Sequence, residues 1–355
     1  MQLYYKRIKN FFKHLANTCN ISIEKKNYYY INDIATCFYL TGFYSSNAHL
    51  LLSLKKNYYF TDNRYYYAAK RKIKVAEVNK ISNSLSDSIR SKLNDSQRLI
   101  IFSKSITLDK YLELQKFIKS SNLIISDFPL ASSRAIKDQN EIDILKENVK
   151  ILKRVFEKLP RYFKYGISEF ELKNIVDRLV LENGAEKTAF DTIVVFGKNT
   201  ANPHSISNPK AYLEKNDIIL IDCGAKFKHY CSDITRVYFV GTAKKKAIET
   251  YKILLNIQQE TIKQLKPNIK ISDIELDILK KLDVYKMTDR YLHSTGHGVG
   301  LEIHETPIVN KSNTSYLKEG YVITIEPGVY FPNKFGIRCE DMILITQNGY
   351  ENLTK

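Results

Sequence analysis

The stretch NDIILIDCGAKFKHYCSDITRVYFV sets two aspartates into apolar, strand-like runs. Asp222 interrupts Ile218-Ile219-Leu220-Ile221 and Asp233 opens the apolar return, so the pattern reads as a strand, a turn through Gly224 and Lys226, and a returning strand. A carboxylate on a buried strand is costly unless a cation or hydrogen-bond donors meet it. Taken alone, the two aspartates are equally well explained as a turn cap and a backbone partner. The segment HSTGHGVGLEIHETP changes the balance by gathering His293, His297 and His304, three of the seven histidines, among Gly296, Gly298 and Gly300. Neutral imidazole ligates metals and carries protons near neutral pH, and glycine lets backbone approach a site closely. Glu326 in YVITIEPGVYFP and Glu340 in FGIRCEDMILIT add two further carboxylates on apolar strands. Two Asp, two Glu and one His make an oxygen-rich donor set. It suits two hard or borderline divalent cations, with Mn²⁺ preferred and Co²⁺, Fe²⁺ or Zn²⁺ also fitting. Two such ions roughly 3.5 to 4 Å apart lower the pKa of a shared water toward roughly 7, which is hydrolytic chemistry.

The elements that must hold these residues follow from periodicity. From Ser133 to Leu159, Ile142, Leu145, Val149, Leu152 and Phe156 recur at helical spacing among charged residues, and Pro160 stops the run. A second helix, Ser168 to Asn183, opens with a capping box of Ser168 and Glu171 and ends at Gly184. Strands dominate afterwards, interrupted by helices near Lys245–Leu265 and Ile271–Lys281. Upstream, strand-like runs (Thr36–Tyr44, His49–Leu54, Tyr58–Thr61, Arg98–Ser103, Leu123–Ser126) alternate with helical stretches at Asn63–Arg71 and Leu108–Lys119. The turn Thr61-Asp62-Asn63-Arg64 offers Asp and Asn for a left-handed position. The pattern breaks near Phe128-Pro129, which predicts an α/β domain over residues 1–129 and a second domain over 130–355.

Composition sets the outer limits. An apolar fraction of 44% with 25 Tyr and 17 Phe predicts an ordered globular chain. The net charge of +17 would suit a polyanion, but the lysine excess is spread along the chain and accompanies much Asn, Ile and Tyr, so a nucleic-acid role is disfavoured. The clusters Tyr28–Tyr30 and Tyr65–Tyr67 are read as sheet and helix faces of the first domain before base-stacking platforms. Cys19, Cys37, Cys223, Cys231 and Cys339 are odd in number and unpaired in spacing, which predicts reduced thiols and a cytoplasmic setting. The basic amphipathic N-terminus has no apolar signal-like core, and no segment reaches the roughly 18 apolar residues of a bilayer span.

The ordered motifs NPHSIS, IDCGA, SDITR, STGHGVGLEIHE, TIEPGVY and GIRCEDM resemble the pita-bread metallopeptidases of the Xaa-Pro aminopeptidase and prolidase type. FYLTGFYSSNAHLLL and FTDNRYYYAAK resemble the creatinase-like N-terminal domain of the same family. The resemblance implies an α/β creatinase-like domain followed by an α+β pita-bread catalytic domain. It implies that Asp222 chelates one metal, that Asp233 and Glu340 bridge or bind both, and that His297 and Glu326 complete the other site. His204 and His304 would contact substrate or its tetrahedral intermediate, His293 would stand near the metals, and Arg338 would support them. The implied substrates are short peptides with proline at the second position, and the implied assembly is a homodimer. The complete ligand set counts against metal-free creatinase chemistry and against a pseudoenzyme. Methionine aminopeptidases resemble only the second domain. Asn216 and Asn63 stand where the family has glycine, and Asn tolerates positive φ next best. Aminopeptidase and strict Xaa-Pro dipeptidase remain alternatives, and a non-catalytic module binding RNA or acidic partners is the reading from another class.

Overall fold

The computed structural model of the protein describes residues 2–18, 23–242 and 244–355, and the chain divides into two compact units, Met1–Arg134 and Ala135–Lys355. Cys19 lies outside the described residues.

The first unit is built on a six-stranded mixed sheet. Its strands are β1 (Asn27–Ile31), β2 (His49–Leu52), β3 (Tyr58–Thr61), β4 (Glu77–Lys80), β5 (Arg98–Phe102) and β6 (Leu123–Ser126), in the order β4-β3-β2-β1-β5-β6. All of Tyr28, Tyr29 and Tyr30 is buried in β1, so that cluster is core and offers no stacking face, whereas Tyr67 on helix α3 (Asn63–Lys72) is 72% exposed. The N-terminal helix α1 (Gln2–Thr18) buries Ile8, Phe11 and Leu15, and Phe11 meets Phe102 and Phe128 edge-on.

Two expectations in this unit fail for local reasons. The apolar run Thr36–Tyr44 is not a strand: residues Ile34–Thr41 form helix α2. Asp33 caps it by accepting from the Thr36 N–H, and Gly42 ends it at φ 70°, signals that outweigh the β-like composition. Asn63 is not left-handed either. Asp62 is the N-cap of α3, with extended backbone and a side chain accepting from Arg64 N, so Asn63 is simply the first helical residue.

The second unit opens with helix α6 (Gln139–Lys158), after the short helices α4 (Leu85–Arg90) and α5 (Leu108–Gln115) of the first. It begins later than the predicted Ser133 because Asp138 and Glu141 form a capping box that fixes the start, and it passes Pro160 as a 3₁₀ turn over Leu159–Tyr162. Helix α7 (Glu169–Glu182) carries the expected Ser168/Glu171 box.

Beyond these helices lie β7 (Lys187–Thr188), β8 (Ile193–Phe196), β9 (Ile218–Cys223), β10 (Ala225–Phe227), β11 (Tyr230–Cys231) and β12 (Ile234–Phe239). Strands β12-β9-β8 form one sheet and β11-β10-β7 another. The turn between the aspartates is therefore not at Gly224 and Lys226. Phe227 pairs with Tyr230, leaving the two-residue loop Lys228-His229 with both residues at positive φ, the geometry that matches the strand twist.

Helices α8 (Lys245–Lys263) and α9 (Ile271–Val284) precede β13 (Gly296–Gly298), β14 (Glu305–Val309), β15 (Val322–Ile325), β16 (Gly328–Phe331), β17 (Phe335–Arg338), β18 (Asp341–Ile345) and β19 (Tyr350–Asn352). The sheet β14-β13-β15-β18-β19 packs Ile323, Ile325 and Ile343 against Ile262 and Ile271 of the two helices, and a second cluster joins Leu254, Ile257 and Ile278 to Val329 and Ile337. These two cores hold rigid the strand ends that carry the polar residues discussed next.

Candidate metal centre

Register brings the acidic residues together. Across β9 and β12, Asp222 faces Thr235 and Cys223 faces Ile234, which puts Asp222, Asp233 and Thr235 on one face of the pair. On β15 and β18, Ile325 lies opposite Asp341, so Glu326 and Glu340 stand at adjoining strand ends. His297 enters from β13, whose flanking glycines are sterically required: a Cβ on Gly296 would lie 2.0 Å from the Thr324 carbonyl oxygen, and one on Gly298 2.4 Å from that of Thr306.

Asp222, Asp233, His297, Glu326 and Glu340 all line one cavity of about 520 Å³, together with His204, His293, His304 and Arg338. Ligand atoms of Asp233, His297 and Glu340 lie within 4.8 Å of one another. Asp222 and Glu326 border this trio without belonging to it. His204 and His304 are exposed, and His304 meets the His297 ring edge-on at 4.4 Å between centroids.

The donor set fits cations. His297 Nδ1 lies 3.0 Å from the Gly298 carbonyl, which can only accept, so Nδ1 carries the proton and Nε2 presents a lone pair. That lone pair lies 3.5 Å from Asp233 Oδ2 and 3.4 Å from Glu326 Oε1, an arrangement of acceptors that calls for a proton or a cation among them. Burial also holds the His297 imidazole neutral, with its pKa down to about 4. Burial drives the Asp233 and Glu340 carboxyls well above the carboxylate range and pushes Glu326 up to about 8, with neighbouring carboxylates adding to each. Asp233, Glu326 and Glu340 crowd one buried spot, and their ionisation together is favoured by added positive charge there. Asp222 Oδ1 is buried with no hydrogen-bond partner. An orphaned acceptor, a directed lone pair and crowded carboxylates are what a divalent-cation site presents, and the His297 Nδ1 bond to backbone is the usual outer support of an imidazole ligand.

Several supporting residues escaped the sequence. Tyr330, 1% exposed, links two of the predicted ones: Arg338 Nη1 donates to its hydroxyl at 2.8 Å, and the hydroxyl lies 2.9 Å from His293 Nε2. His293 Nδ1 is bonded to the Ser294 carbonyl, so Nε2 is the acceptor and Tyr330 the donor. Thr235 Oγ1 donates to Glu340 Oε2 at 2.6 Å, and Arg236 Nη1 bonds the Glu340 carbonyl while Nη2 pairs with Asp341. Lys137 and Glu305 form an ion pair at 2.7 Å with side chains 1% and 0% exposed, and Glu305 also accepts from Glu302 N beside His304. Thr235, Arg236 and Tyr330 do lie inside the motifs that drew attention to the site, but their partners depend on strand register. Lys137 carries no local signal.

The four described cysteines, Cys37, Cys223, Cys231 and Cys339, are buried free thiols. Burial raises all four, Cys231 to about 11 and Cys339 to about 12, which leaves them as small hydrophobes rather than nucleophiles.

A family model for metallopeptidase family M24 matches residues 143–347, and one for the Creatinase/Prolidase N-terminal domain matches residues 23–136. The chain is 40% identical over 222 residues to an Xaa-Pro dipeptidase of Pyrococcus furiosus, covering 62% of this chain and 64% of that one. Its fold matches a solved Xaa-Pro dipeptidase from Bacillus anthracis with a TM-score of 0.92 at 28% identity, over 99% of this chain and 98% of that one. It also matches an X-Pro aminopeptidase from Thermotoga maritima with a TM-score of 0.86 at 29% identity, over 93% and 95%. The chain belongs to metallopeptidase family M24, with a creatinase-like N-terminal domain ahead of a pita-bread catalytic domain. Among the described residues, no helix is long and apolar enough to cross a membrane.

Proposed function

We propose that the protein is a dinuclear metallo-aminopeptidase that hydrolyses the bond between a first residue and a following proline at the N-terminus of peptides, with Xaa-Pro dipeptides as the alternative substrate. The observation that carries this reading is the His297 Nε2 lone pair facing Asp233 and Glu326, beside the partnerless Asp222 Oδ1. Asp222, Asp233, His297, Glu326 and Glu340 would hold two divalent cations, Mn²⁺ by preference. When bound, the cations supply a water of lowered pKa and a Lewis acid for the scissile carbonyl.

The chain's own residues supply the rest. Glu326 takes a proton from the attacking water as a carboxylate of the cavity wall and returns it to the leaving proline nitrogen. His304 and His204, exposed at the cavity mouth, donate to the developing oxyanion and to the substrate backbone. Tyr330 holds His293 by its Nε2, and Arg338 holds Asp222 by Oδ2. A proline leaving group has no N–H and a rigid ring, which favours a shaped apolar wall such as Phe190, Ile193 and Ile303 provide. The protein is expected to act in the cytoplasm as a homodimer.

The test is turnover of Xaa-Pro-Yaa tripeptides by metal-stripped protein to which Mn²⁺, Co²⁺ or Zn²⁺ is returned. Cleavage restored by metal and lost in Asp222→Ala supports the proposal. If no Xaa-Pro substrate is cleaved with any metal while single-stranded RNA is bound tightly at physiological salt, the binding-module reading replaces it.

A further inference from the structure

Glu275 is an acid in an apolar place. On α9 it shares the core-facing side of the helix with Ile271, Ile274, Ile278 and Leu282, and it is 6% exposed. A carboxylate in such a position is costly unless donors meet it. Two donors come from a single residue of the segment that carries the cavity's imidazoles: the Thr295 backbone N–H lies 3.1 Å and the Thr295 Oγ1 3.3 Å from Glu275 Oε2.

Thr295 stands midway between His293 and His297 and is fully buried. Its carbonyl accepts from the Glu326 N–H at 2.8 Å, and the Tyr291 hydroxyl lies 2.6 Å from its Oγ1. Because Oγ1 donates its own proton to the carboxylate, Tyr291 is the donor of that last bond, and the Tyr291 ring stacks on the His293 imidazole with 5.8 Å between centroids. On the opposite side, His297 N donates to Thr324 Oγ1 at 3.0 Å, and that hydroxyl donates to Glu326 Oε1 at 3.2 Å. Glu326 is therefore held by its backbone through Thr295 and by its side chain through Thr324. A shift of Thr295 moves His297 and Glu326 together. Glu275 and Thr295 do not line the cavity, so what they contribute is passed on by the residues that do.

We propose that Glu275 is a positioning residue for the metal centre: from outside the cavity it fixes Thr295, and through Thr295 it sets the places of His297 and Glu326. The role assigned to Glu275 rests on the five-ligand reading above and extends it to a residue on a helix behind the site. A helix pin with a purely structural task lowers stability and leaves the metal affinity of the folded protein unchanged. A positioning residue changes that affinity, and a neutral side chain that still offers an acceptor to Thr295 restores it.

The experiment titrates Mn²⁺ calorimetrically into metal-stripped full-length protein, for the wild type, Glu275→Leu, Glu275→Gln and Thr295→Val, at a temperature where circular dichroism shows the titrated proteins folded. Glu275→Leu is expected to weaken Mn²⁺ binding about 10- to 100-fold, the usual effect of removing an outer support of metal ligands. Glu275→Gln, whose amide oxygen still accepts from Thr295, is expected to recover most of that loss. Thr295→Val, which keeps the backbone bond to Glu275 and removes only the hydroxyl, is expected to lie between the wild type and Glu275→Leu. Wild-type affinity in Glu275→Leu overturns the proposal and leaves the five-ligand reading standing, as does wild-type affinity in Thr295→Val where Glu275→Leu does not fold. Equal losses in Glu275→Gln and Glu275→Leu assign the effect to charge and overturn the route through Thr295. A wild type that binds no Mn²⁺ overturns the five-ligand reading and this inference with it.

Discussion

Arg338 donates through Nη2 to Asp222 Oδ2 at 2.6 Å, and the other oxygen of that carboxylate has no partner. The guanidinium thereby ties down one oxygen of Asp222 and leaves the other without a hydrogen bond. Arg338→Met is expected to weaken Mn²⁺ binding by about 10- to 100-fold, the usual effect of removing an outer-sphere support. Titration calorimetry on metal-stripped wild type and variant measures it. Unchanged affinity would show that Asp222 is oriented by something else.

Tyr330 stands between Arg338 and His293 and donates to His293 Nε2. Tyr330→Phe keeps the ring in its buried place and removes only the hydroxyl. Turnover is expected to fall about 10-fold, from one lost buried hydrogen bond at the reacting centre, with KM nearly constant. Steady-state kinetics separate the two parameters, and a change confined to KM contradicts a role in holding His293 for the chemical step.

The Lys137–Glu305 pair is fully buried beneath the segment that carries His304. Lys137→Met takes the ammonium away from a fully buried carboxylate, and urea unfolding is expected to show a loss of about 3 to 5 kcal/mol. Lys137→Met with Glu305→Leu should recover much of that loss, because no ionised group then stays buried at this spot. A double variant no more stable than the single would contradict this account of the cost.

His49, in the first unit, offers a pH test on a histidine that does not line the cavity. Its Nδ1 lies 2.9 Å from the Tyr30 hydroxyl, and burial lowers its pKa to about 4. The folded chain therefore binds fewer protons at this site than the unfolded chain does at its ordinary pKa of about 6.5. Stability from this source is complete above pH 6.5 and is lost as pH falls toward 4, by up to roughly 3 kcal/mol. Thermal melts between pH 7 and pH 4.5 should show a fall that is smaller in His49→Phe, and identical pH slopes in the two proteins would exclude His49 as its source.

Much of the site could be read from residue type because its cost is local. Asp222, Glu326 and Glu340 break apolar strand runs, and three histidines crowd among glycines, so each announces itself without any knowledge of neighbours. The Ser168/Glu171 capping box and the periodicity of α6 are local in the same way, and Asn216 takes the positive φ of 68° expected for a residue in place of glycine. What escaped the sequence depends on pairing. Tyr330, Thr235 and Lys137 acquire their roles from partners 8 to 168 residues away, which only strand register and packing define. At Thr36–Tyr44, β-like composition lost to the caps Asp33 and Gly42, and between Asp222 and Asp233 the turn moved because Lys228 and His229 accept positive φ.

Asp222, Asp233, His297, Glu326 and Glu340 would together hold two cations. Elemental analysis of metal-loaded, desalted protein gives the number of ions per chain directly. The account predicts two for the wild type and one or none for Asp233→Ala with the fold intact by circular dichroism. A wild type that retains no ion, or an Asp233→Ala variant that still retains two, would contradict it.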